Sequence, residues 1–131
     1  MNIIGIGTDI VDKNRISRLL KRFGQRFIER ILSEEERKVI SLISDPTAYL
    51  AKRFAAKEAV AKALGTGIGA VTFNEISILN ATGGKPYVKF EGKSKQFASS
   101  LNIQEIMISL SDEKECALAF AVIVGIGNAK A

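Results

Sequence analysis

The 131-residue sequence contains no histidine and no tryptophan, and it has one cysteine and two prolines. Without histidine, neither a histidine-based catalytic centre nor a histidine metal ligand is possible. Any metal ion must therefore be a hard cation held by oxygen atoms, such as Mg²⁺. The single cysteine, Cys116, cannot form an internal disulfide, and it lies in an apolar run typical of a core position. We therefore expect a cytoplasmic protein that folds without disulfides.

Long apolar runs are also missing. No segment is apolar over the roughly 20 residues that a membrane-spanning helix needs. Residues 1–11 are apolar, but they contain Asp9 and no basic segment of the kind that opens a signal peptide. We expect one soluble domain over residues 1–125, followed by a frayed tail over residues 126–131, and no membrane partner.

Positive charge is concentrated in one segment. Residues 12–30 contain seven arginines and lysines against two acids, and their net charge of +5 equals that of the whole chain. This segment should attract an anionic partner. Asp12 is predicted to cap a helix that runs to Phe23, on which cations recur three and four residues apart. The members of this basic patch are Arg15, Arg18, Lys21, Arg22, Arg26 and Arg30.

The hydrophobic pattern predicts an α+β fold, a single domain in which helices from the first half of the chain pack on an antiparallel sheet. A capping box formed by Ser33 and Glu36 opens one helix, to about residue 43. Asp45 and Pro46 start the central helix. A short helix is predicted over residues 94–101, and strands over residues 2–11, 71–80, 86–90, 105–111 and 116–124.

The most distinctive stretch is an alanine-rich helix followed by a glycine loop, GTGIG at residues 65–69. The loop begins where a left-handed helix cap belongs, and its amides could cradle an anion. A carboxylate flanked by cations on such a helix could hold a metal ion beside a phosphate, although a solvated helix with ion pairs is the commoner meaning of the pattern. The charges form two pairs spaced four residues apart: Arg53 with Lys57, and Glu58 with Lys62.

Asp9 is the second acid of interest. It follows Gly5 and Gly7 on one face of the first strand, where no neighbouring side chain shields it. A carboxylate in that position is costly unless it is hydrogen-bonded, paired or bound to a cation. Because Asp12 is better placed to cap the next helix, the residues alone leave both a structural and a functional role open.

Five segments together resemble one known family, in order along nearly the whole chain. They are residues 5–11 (GIGTDIV), 27–32 (FIERIL), 53–69, 84–87 (GKPY) and 108–111 (ISLS). The family is that of the holo-acyl-carrier-protein synthases, the small bacterial 4'-phosphopantetheinyl transferases. The resemblance implies the 4'-phosphopantetheinyl transferase fold. It also implies Mg²⁺-dependent transfer of phosphopantetheine from coenzyme A to a serine of apo-acyl carrier protein, which releases adenosine 3',5'-bisphosphate and supports fatty acid biosynthesis.

The resemblance assigns roles to individual residues. It implies that Asp9 and Glu58 bind Mg²⁺, that Glu58 orients or deprotonates the attacking serine, and that Lys62 stabilises charge on the pyrophosphate. These three are the expected catalytic residues, while Lys57 matches the motif without acquiring a role. The residues expected to bind coenzyme A are Arg53, Lys62, Gly67, Lys85 and Pro86. Those expected to bind the acidic carrier are Arg15, Arg18, Lys21, Arg22 and Arg26, with Arg30 extending the surface.

Members of the family that this chain resembles form trimers with active sites between subunits, so the resemblance implies a homotrimer. One residue departs from the family pattern: Asp112 stands where the family usually has a histidine near the nucleotide end of coenzyme A. An acid there would repel the 3'-phosphate. We therefore expect this contact to be lost, rearranged or taken over by Lys114.

An RNA-binding module is the main alternative, since it would use the basic patch and the glycine loop. The sequence argues against it, with only two tyrosines and no aromatic residue interleaved among the cations of residues 15–22 for base stacking. It also leaves Asp9 and Glu58 unexplained, so no nucleic-acid partner is expected. A catalytically inactive assembly subunit is a third possibility.

Overall fold

The computed structural model of the chain describes residues 1–126, with five α-helices, five strands and one short 3₁₀ helix, Phe73–Glu75. The helices are α1 (Lys13–Phe23), α2 (Gln25–Ile31), α3 (Glu34–Ile40), α4 (Pro46–Ala63) and α5 (Gly92–Ser99). The strands are β1 (Asn2–Asp12), β2 (Ile76–Asn80), β3 (Pro86–Phe90), β4 (Ile103–Asp112) and β5 (Cys116–Gly125). Of the tail predicted to fray, only Ile126 is described, and its amide donates to the Asn102 carbonyl; residues 127–131 lie outside the described residues.

The predicted α+β class is confirmed, with two antiparallel sheets in place of one. The larger sheet has the order β1-β5-β4, so β1 and β4 form its two edges, and β2 pairs with β3 in a separate hairpin. Within residues 1–126, none of the helices combines the length and hydrophobicity needed to cross a lipid bilayer.

The strand predicted over residues 71–80 is wrong in its first half. Side chains of Thr72 and Glu75 bond one another, and Glu75 also accepts hydrogen bonds from Ser94 of α5. These polar contacts turn the backbone into the 3₁₀ helix, and β2 begins only at Ile76. The segment after Gly24, for which no helix was predicted, forms α2.

Helix starts follow the predicted caps. Asp12 is the last residue of β1 and also the N-cap of α1, where its carboxylate accepts from the Asn14 amide at 2.8 Å, so no loop separates strand from helix. The capping box of Ser33 and Glu36 is present at the start of α3. Asp45 caps α4. Because each cap is a contact within three residues, the sequence is enough to predict it.

Helix α4 packs directly on the larger sheet through backbone and small side chains. A Cβ atom placed on Gly7 would collide with the carbonyl oxygen of Ala59, and one placed on Gly5 would collide with that of Ala63. In the neighbouring strand β5, the residues facing the helix are again small and fully buried: Ala117, Ala119 and Ala121. The helix therefore lies closer to the sheet than larger side chains would allow.

The opposite side of this sheet, which we call the outer sheet face, is apolar and exposed. Ile6 and Ile10 of β1 are 63% and 65% exposed, and Phe120 of β5 is 46% exposed. The strand register places Leu118 beside Ile10 and Met107 beside Val122. An exposed apolar surface of this kind on a small domain typically marks an interaction site.

Replacing Gly7 tests the close packing of α4. We expect Gly7→Ala to lower the free energy of unfolding by about 2 kcal/mol or more, because the added methyl meets a helix carbonyl that cannot move alone. Urea unfolding followed by circular dichroism measures the change. Asn2→Ala, at the exposed start of the same strand, is the control and should change it by less than about 0.5 kcal/mol. Equal midpoints for the two variants would contradict the packing described.

Candidate active site

Asp9 meets two residues of α4 where β1 passes beneath the helix. Its register opposite Ala119 places its side chain on the helix-facing side of the sheet. The Lys62 ammonium donates to the Thr8 carbonyl at 3.0 Å and lies 3.4 Å from an Asp9 carboxylate oxygen. Glu58, one helical turn before Lys62, completes the group, so the structure brings together all three predicted catalytic residues.

The two carboxylates raise one another's energy. Burial raises the pKa of the Glu58 carboxyl above its ordinary value, and the charge of Asp9 raises it further, while Lys62 and Arg15 lower it. A divalent cation between two such carboxylates would remove this penalty. In the described part of the chain, no three or more acidic or cysteine side chains are placed so that they could hold a metal ion together. A pair of carboxylates nevertheless fits Mg²⁺, which completes its shell with water and phosphate oxygens.

Predicted coenzyme A residues are divided between the two edges of the larger sheet. Arg53 and Pro86 line a cavity of about 400 Å³ beside β4, which we call the Arg53 cavity. Lys62 lines a separate depression of about 320 Å³ beside β1, together with Gly7 and Phe120. Lys85 is exposed next to Pro86, in the turn that joins β2 and β3. Within one chain, the structure therefore does not bring the predicted coenzyme A residues together in one cavity.

Arg53 shapes its cavity from within. It is 8% exposed, and its guanidinium donates to the Asn80 side chain at 3.0 Å and to the Ile78 carbonyl at 3.3 Å. The same group lies over the Tyr49 ring, 4.2 Å from its centre. These contacts hold the positive charge in a fixed place at the back of the cavity.

The glycine loop closes α4. The Gly65 amide donates to the Lys62 carbonyl, and the amides of Thr66 and Gly67 donate to the Ala61 carbonyl. Gly65 and Gly67 both have positive φ angles, as the predicted left-handed cap requires. Because these three amides are used by the helix end, they are not free to cradle an anion. Gly67 is partly exposed, and nothing lies within 4 Å of where its Cβ would be, so a ligand could still approach it from outside.

Asp112 is paired with two lysines that the sequence analysis missed. Its carboxylate lies 2.7 Å from the Lys13 ammonium and 3.6 Å from that of Lys52. The hydrogen bond from Lys13 lowers the pKa of Asp112, and Lys52 adds to the effect. Asp112 lines the Arg53 cavity, as does Lys52. Since the single charge of Asp112 is matched by two lysines, this group carries a net positive charge. The expected repulsion of a phosphate is offset by these lysines.

A basic groove of about 630 Å³ runs between α1, α2, α4 and the 3₁₀ helix. Phe27, Phe54 and Phe73 lie in its apolar lining, and Glu58 is at its edge. Three members of the basic patch border it: Arg15, Arg26 and Arg30. Arg18, Lys21 and Arg22 are exposed on α1 outside the groove. Folding places the Arg15 guanidinium over the Phe54 ring, 5.5 Å from its centre, an aromatic contact that the local sequence does not contain.

Lys57 does not reach the surface. It is fully buried in α4, where its ammonium donates to the Glu36 carboxylate at 2.5 Å. Burial lowers the pKa of Lys57 to about 8, although Glu36 acts in the opposite direction. Its neighbour in sequence, Glu58, points instead to the groove and to Asp9.

A profile of the 4'-phosphopantetheinyl transferase superfamily matches residues 5–121. The chain belongs to this superfamily. Within it, the chain groups with the holo-acyl-carrier-protein synthases. It is 50% identical over 121 residues to the protein of that name from Neisseria meningitidis, covering 92% of this chain and 97% of the relative. It is 45% identical over 123 residues to that from Nitrosococcus oceani, covering 93% and 80%.

Solved structures of such synthases share the fold. The crystal structure from Neisseria meningitidis matches with a TM-score of 0.90 at 48% identity, covering 94% of this chain and 99% of the other. The structure from Helicobacter pylori in complex with coenzyme A matches with a TM-score of 0.79 at 38% identity, covering 91% and 99%. The predicted family is therefore confirmed.

Neutralising Asp112 tests its lysine pairing. We expect Asp112→Asn to lower the free energy of unfolding at pH 7 by about 0.5–1 kcal/mol, a small value because the pair is partly solvated. The folded-state pKa is lowered, so this contribution is present above the ordinary value of 3.8 and is lost as the pH falls through the folded-state pKa. Thermal unfolding of both proteins at pH 7 and near pH 3 measures it.

Glu113→Gln serves as the control for Asp112→Asn, because it neutralises an adjacent acid that forms no ion pair within residues 1–126. A difference between Asp112→Asn and the parent that persists unchanged at pH 3 would show that the carboxylate charge is not its source.

Proposed function

We propose that this transferase moves the 4'-phosphopantetheine group of coenzyme A to a serine of an apo-acyl carrier protein in a Mg²⁺-dependent reaction. Superfamily membership supports the reaction class. The observation that carries the proposal is the position of Glu58, which lies at once next to Asp9 and at the edge of the basic groove. A carboxylate in that place could help to hold Mg²⁺ and also reach the hydroxyl of a serine that enters the groove.

The chemistry assigned to each residue follows from its surroundings. Asp9 and Glu58 would hold Mg²⁺, which when bound supplies positive charge to the pyrophosphate of coenzyme A. Glu58 takes the serine proton, a role that its place next to Asp9 and in the lining of the basic groove permits. The serine oxygen forms a bond to phosphorus as the bond to adenosine 3',5'-bisphosphate breaks. Lys62, held over Asp9 and half exposed, stabilises the charge that develops on the leaving phosphate.

Coenzyme A is proposed to bind along Lys62, Gly67 and the Arg53 cavity, with Lys85 and Pro86 at its mouth. Lys13 and Lys52 join this set because they stand around Asp112 in or beside the cavity. Their charges suit the phosphates of the nucleotide end. The bound coenzyme A in the Helicobacter pylori relative supports the presence of such a site in this fold.

The carrier is proposed to dock on the basic groove. Arg15, Arg26 and Arg30 border it, and Arg18, Lys21 and Arg22 extend the positive surface along α1. Acidic side chains of a carrier would be steered by this charge, and its apolar side chains would fill the phenylalanine-lined floor. The groove leads to Glu58, so a docked carrier brings its serine to the base.

A homotrimer is proposed to join the two partial sites. The outer sheet face is apolar and exposed, and the two depressions lie at opposite edges of the same sheet. If the β1 edge of one subunit meets the β4 edge of the next, Lys62 of one subunit faces the Arg53 cavity of its neighbour. Closed three-fold symmetry then forms three complete sites. We further propose that the protein works in the cytoplasm and in fatty acid biosynthesis, which agrees with its single free cysteine.

Two substitutions separate chemistry from docking. We expect Glu58→Gln to lower kcat by at least about 100-fold, because the amide cannot accept the serine proton and binds Mg²⁺ poorly. Arg18→Ala should raise KM for the carrier several-fold with kcat nearly unchanged, because it removes only long-range attraction. The assay incubates protein, apo-carrier, coenzyme A and Mg²⁺, and mass spectrometry follows the mass added to the carrier.

The parent protein with a metal chelator is the control for the metal, and restoration by added Mg²⁺ should follow. Absence of the phosphopantetheine mass with every divalent ion tested would refute the proposed reaction. Equal loss of turnover by Glu58→Gln and Arg18→Ala at saturating carrier would refute the division of roles.

A charge on the outer sheet face tests the trimer. We expect Leu118→Glu to give monomers that lack transferase activity, because a buried carboxylate at a subunit contact is unpaired and each chain holds only part of a site. Light scattering coupled to gel filtration measures the mass. The matched control is Leu42→Glu, at an apolar residue that follows α3, is 82% exposed and belongs to no strand of the sheet. It should remain trimeric and active.

Mixing two inactive variants tests whether the site is shared. Lys62→Ala disables the β1 half and Lys52→Glu disables the β4 half, so a mixed trimer contains some interfaces with both halves intact. Co-refolded mixtures should regain part of the parent activity. A fully active Leu118→Glu monomer, or mixtures no more active than their components, would rule out a shared site.

A further inference from the structure

Lys57 is a buried cation whose three hydrogen bonds reach three different segments. Its ammonium donates to the carbonyl of Ile31 at the end of α2, to the Glu36 carboxylate of α3 and to the carbonyl of Phe73 in the 3₁₀ helix. An ammonium has three N–H groups, so all of its donors are used. One side chain thus ties α4 to three other elements.

Glu36, its partner, is equally saturated. One carboxylate oxygen accepts from the Ser33 amide and the other from the Ile78 amide of β2, each at 2.8 Å. Ser77 of β2 donates to the Ser33 hydroxyl at 2.6 Å, which connects the same strand a second time. The side chains of the network are all fully buried: Lys57, Glu36, Ser33 and Ser77. Apart from the capping box of α3, their hydrogen bonds join different elements.

Stability alone is a weak reason for such a pair. Removing two charges from water costs several kcal/mol per ion, and apolar side chains of similar volume often stabilise a fold as well or better. What apolar packing does not supply is a fixed direction and distance between the elements. Hydrogen bonds to two backbone carbonyls supply both.

The segments tied by Lys57 are those that form the basic groove. Ile31 and Phe73, whose carbonyls accept its hydrogen bonds, both line the groove. Phe73 also stacks on Phe54 of α4, with 5.0 Å between ring centres. Glu58, at the groove edge, is the next residue along the helix. Lys57 therefore links two groove walls to the helical turn that carries the proposed base.

We infer that Lys57 is a positioning residue, which holds α2 and the 3₁₀ helix against α4 so that a carrier seated in the groove presents its serine to Glu58. This inference rests on the proposed function. Neither Lys57 nor Glu36 lines the Arg53 cavity, and the network reaches that cavity only through Ile78, which bonds both Glu36 and Arg53. The larger effect should therefore fall on the carrier and the smaller one on coenzyme A. A shift of the groove walls by about 1 Å is enough to reduce turnover strongly.

The test compares a charge-free network with an equally buried substitution outside it. Lys57→Met removes the ammonium but leaves the Glu36 carboxylate buried without its partner charge, so this variant can fail to fold. The decisive variant is therefore the double substitution Glu36→Gln and Lys57→Met, which leaves no unpaired buried charge. The control is Val60→Ala, a fully buried residue of the same helix that takes no part in the network. Each protein is assayed at a temperature where circular dichroism shows it folded, with Mg²⁺ and both substrates varied.

For the double variant we expect kcat/KM for the apo-carrier to fall about tenfold or more, with KM for coenzyme A within about twofold of the parent. Val60→Ala should leave both values near those of the parent. Unchanged carrier kinetics in the folded double variant, or an equal loss in Val60→Ala, would overturn the positioning role. A parent protein that transfers nothing would instead refute the proposed function, so the two failures are distinguishable.

Discussion

Direct backbone contact between α4 and β1 is the constraint on which the rest of the structure depends. Gly5 and Gly7 have no side chains, so the carbonyls of α4 lie against the strand itself. That closeness lets Glu58 and Lys62, on the helix, reach Asp9, on the strand. Any side chain between the two backbones would move the two carboxylates apart and disrupt the proposed Mg²⁺ site. Packing and chemistry therefore depend on the same two glycines.

Local features of the sequence predicted the parts of the molecule that local contacts make. Helix caps, the left-handed end of α4 and the alternation that puts Asp9 toward the helix all depend on residues within a few positions of one another. The pairing of Lys13 with Asp112 spans 99 positions, and that of Lys57 with Glu36 spans 21. The spacing of residues along the sequence does not predict contacts between positions so far apart. The 3₁₀ helix was missed for a related reason, since its backbone is turned by hydrogen bonds to the distant helix α5.

Charge is handled differently in the three places where it accumulates. Around Asp112 it is partly solvated and pairs loosely, which leaves lysines available to an anion. Around Lys57 it is buried and fully hydrogen-bonded, which makes it rigid. Between Asp9 and Glu58 like charges repel one another, and the Mg²⁺ ion proposed to bind there would relieve this repulsion. Burial and neighbouring groups thus decide whether a charged residue in this chain is rigidly held or left available for the proposed binding of an anion or a metal ion.

Strand β1 runs directly into α1 with no loop between them, which restricts the sequence changes that this segment can tolerate. Asp12 ends the strand and caps the helix, so only regular structure separates Asp9 from Arg15. One inserted residue would rotate α1 by about 100° about its axis and carry its arginines away from the groove. Insertions and deletions are therefore excluded from this segment. If the carrier docks on α1 as proposed, a change in carrier preference would come from exchanging side chains on this helix and not from rotating it.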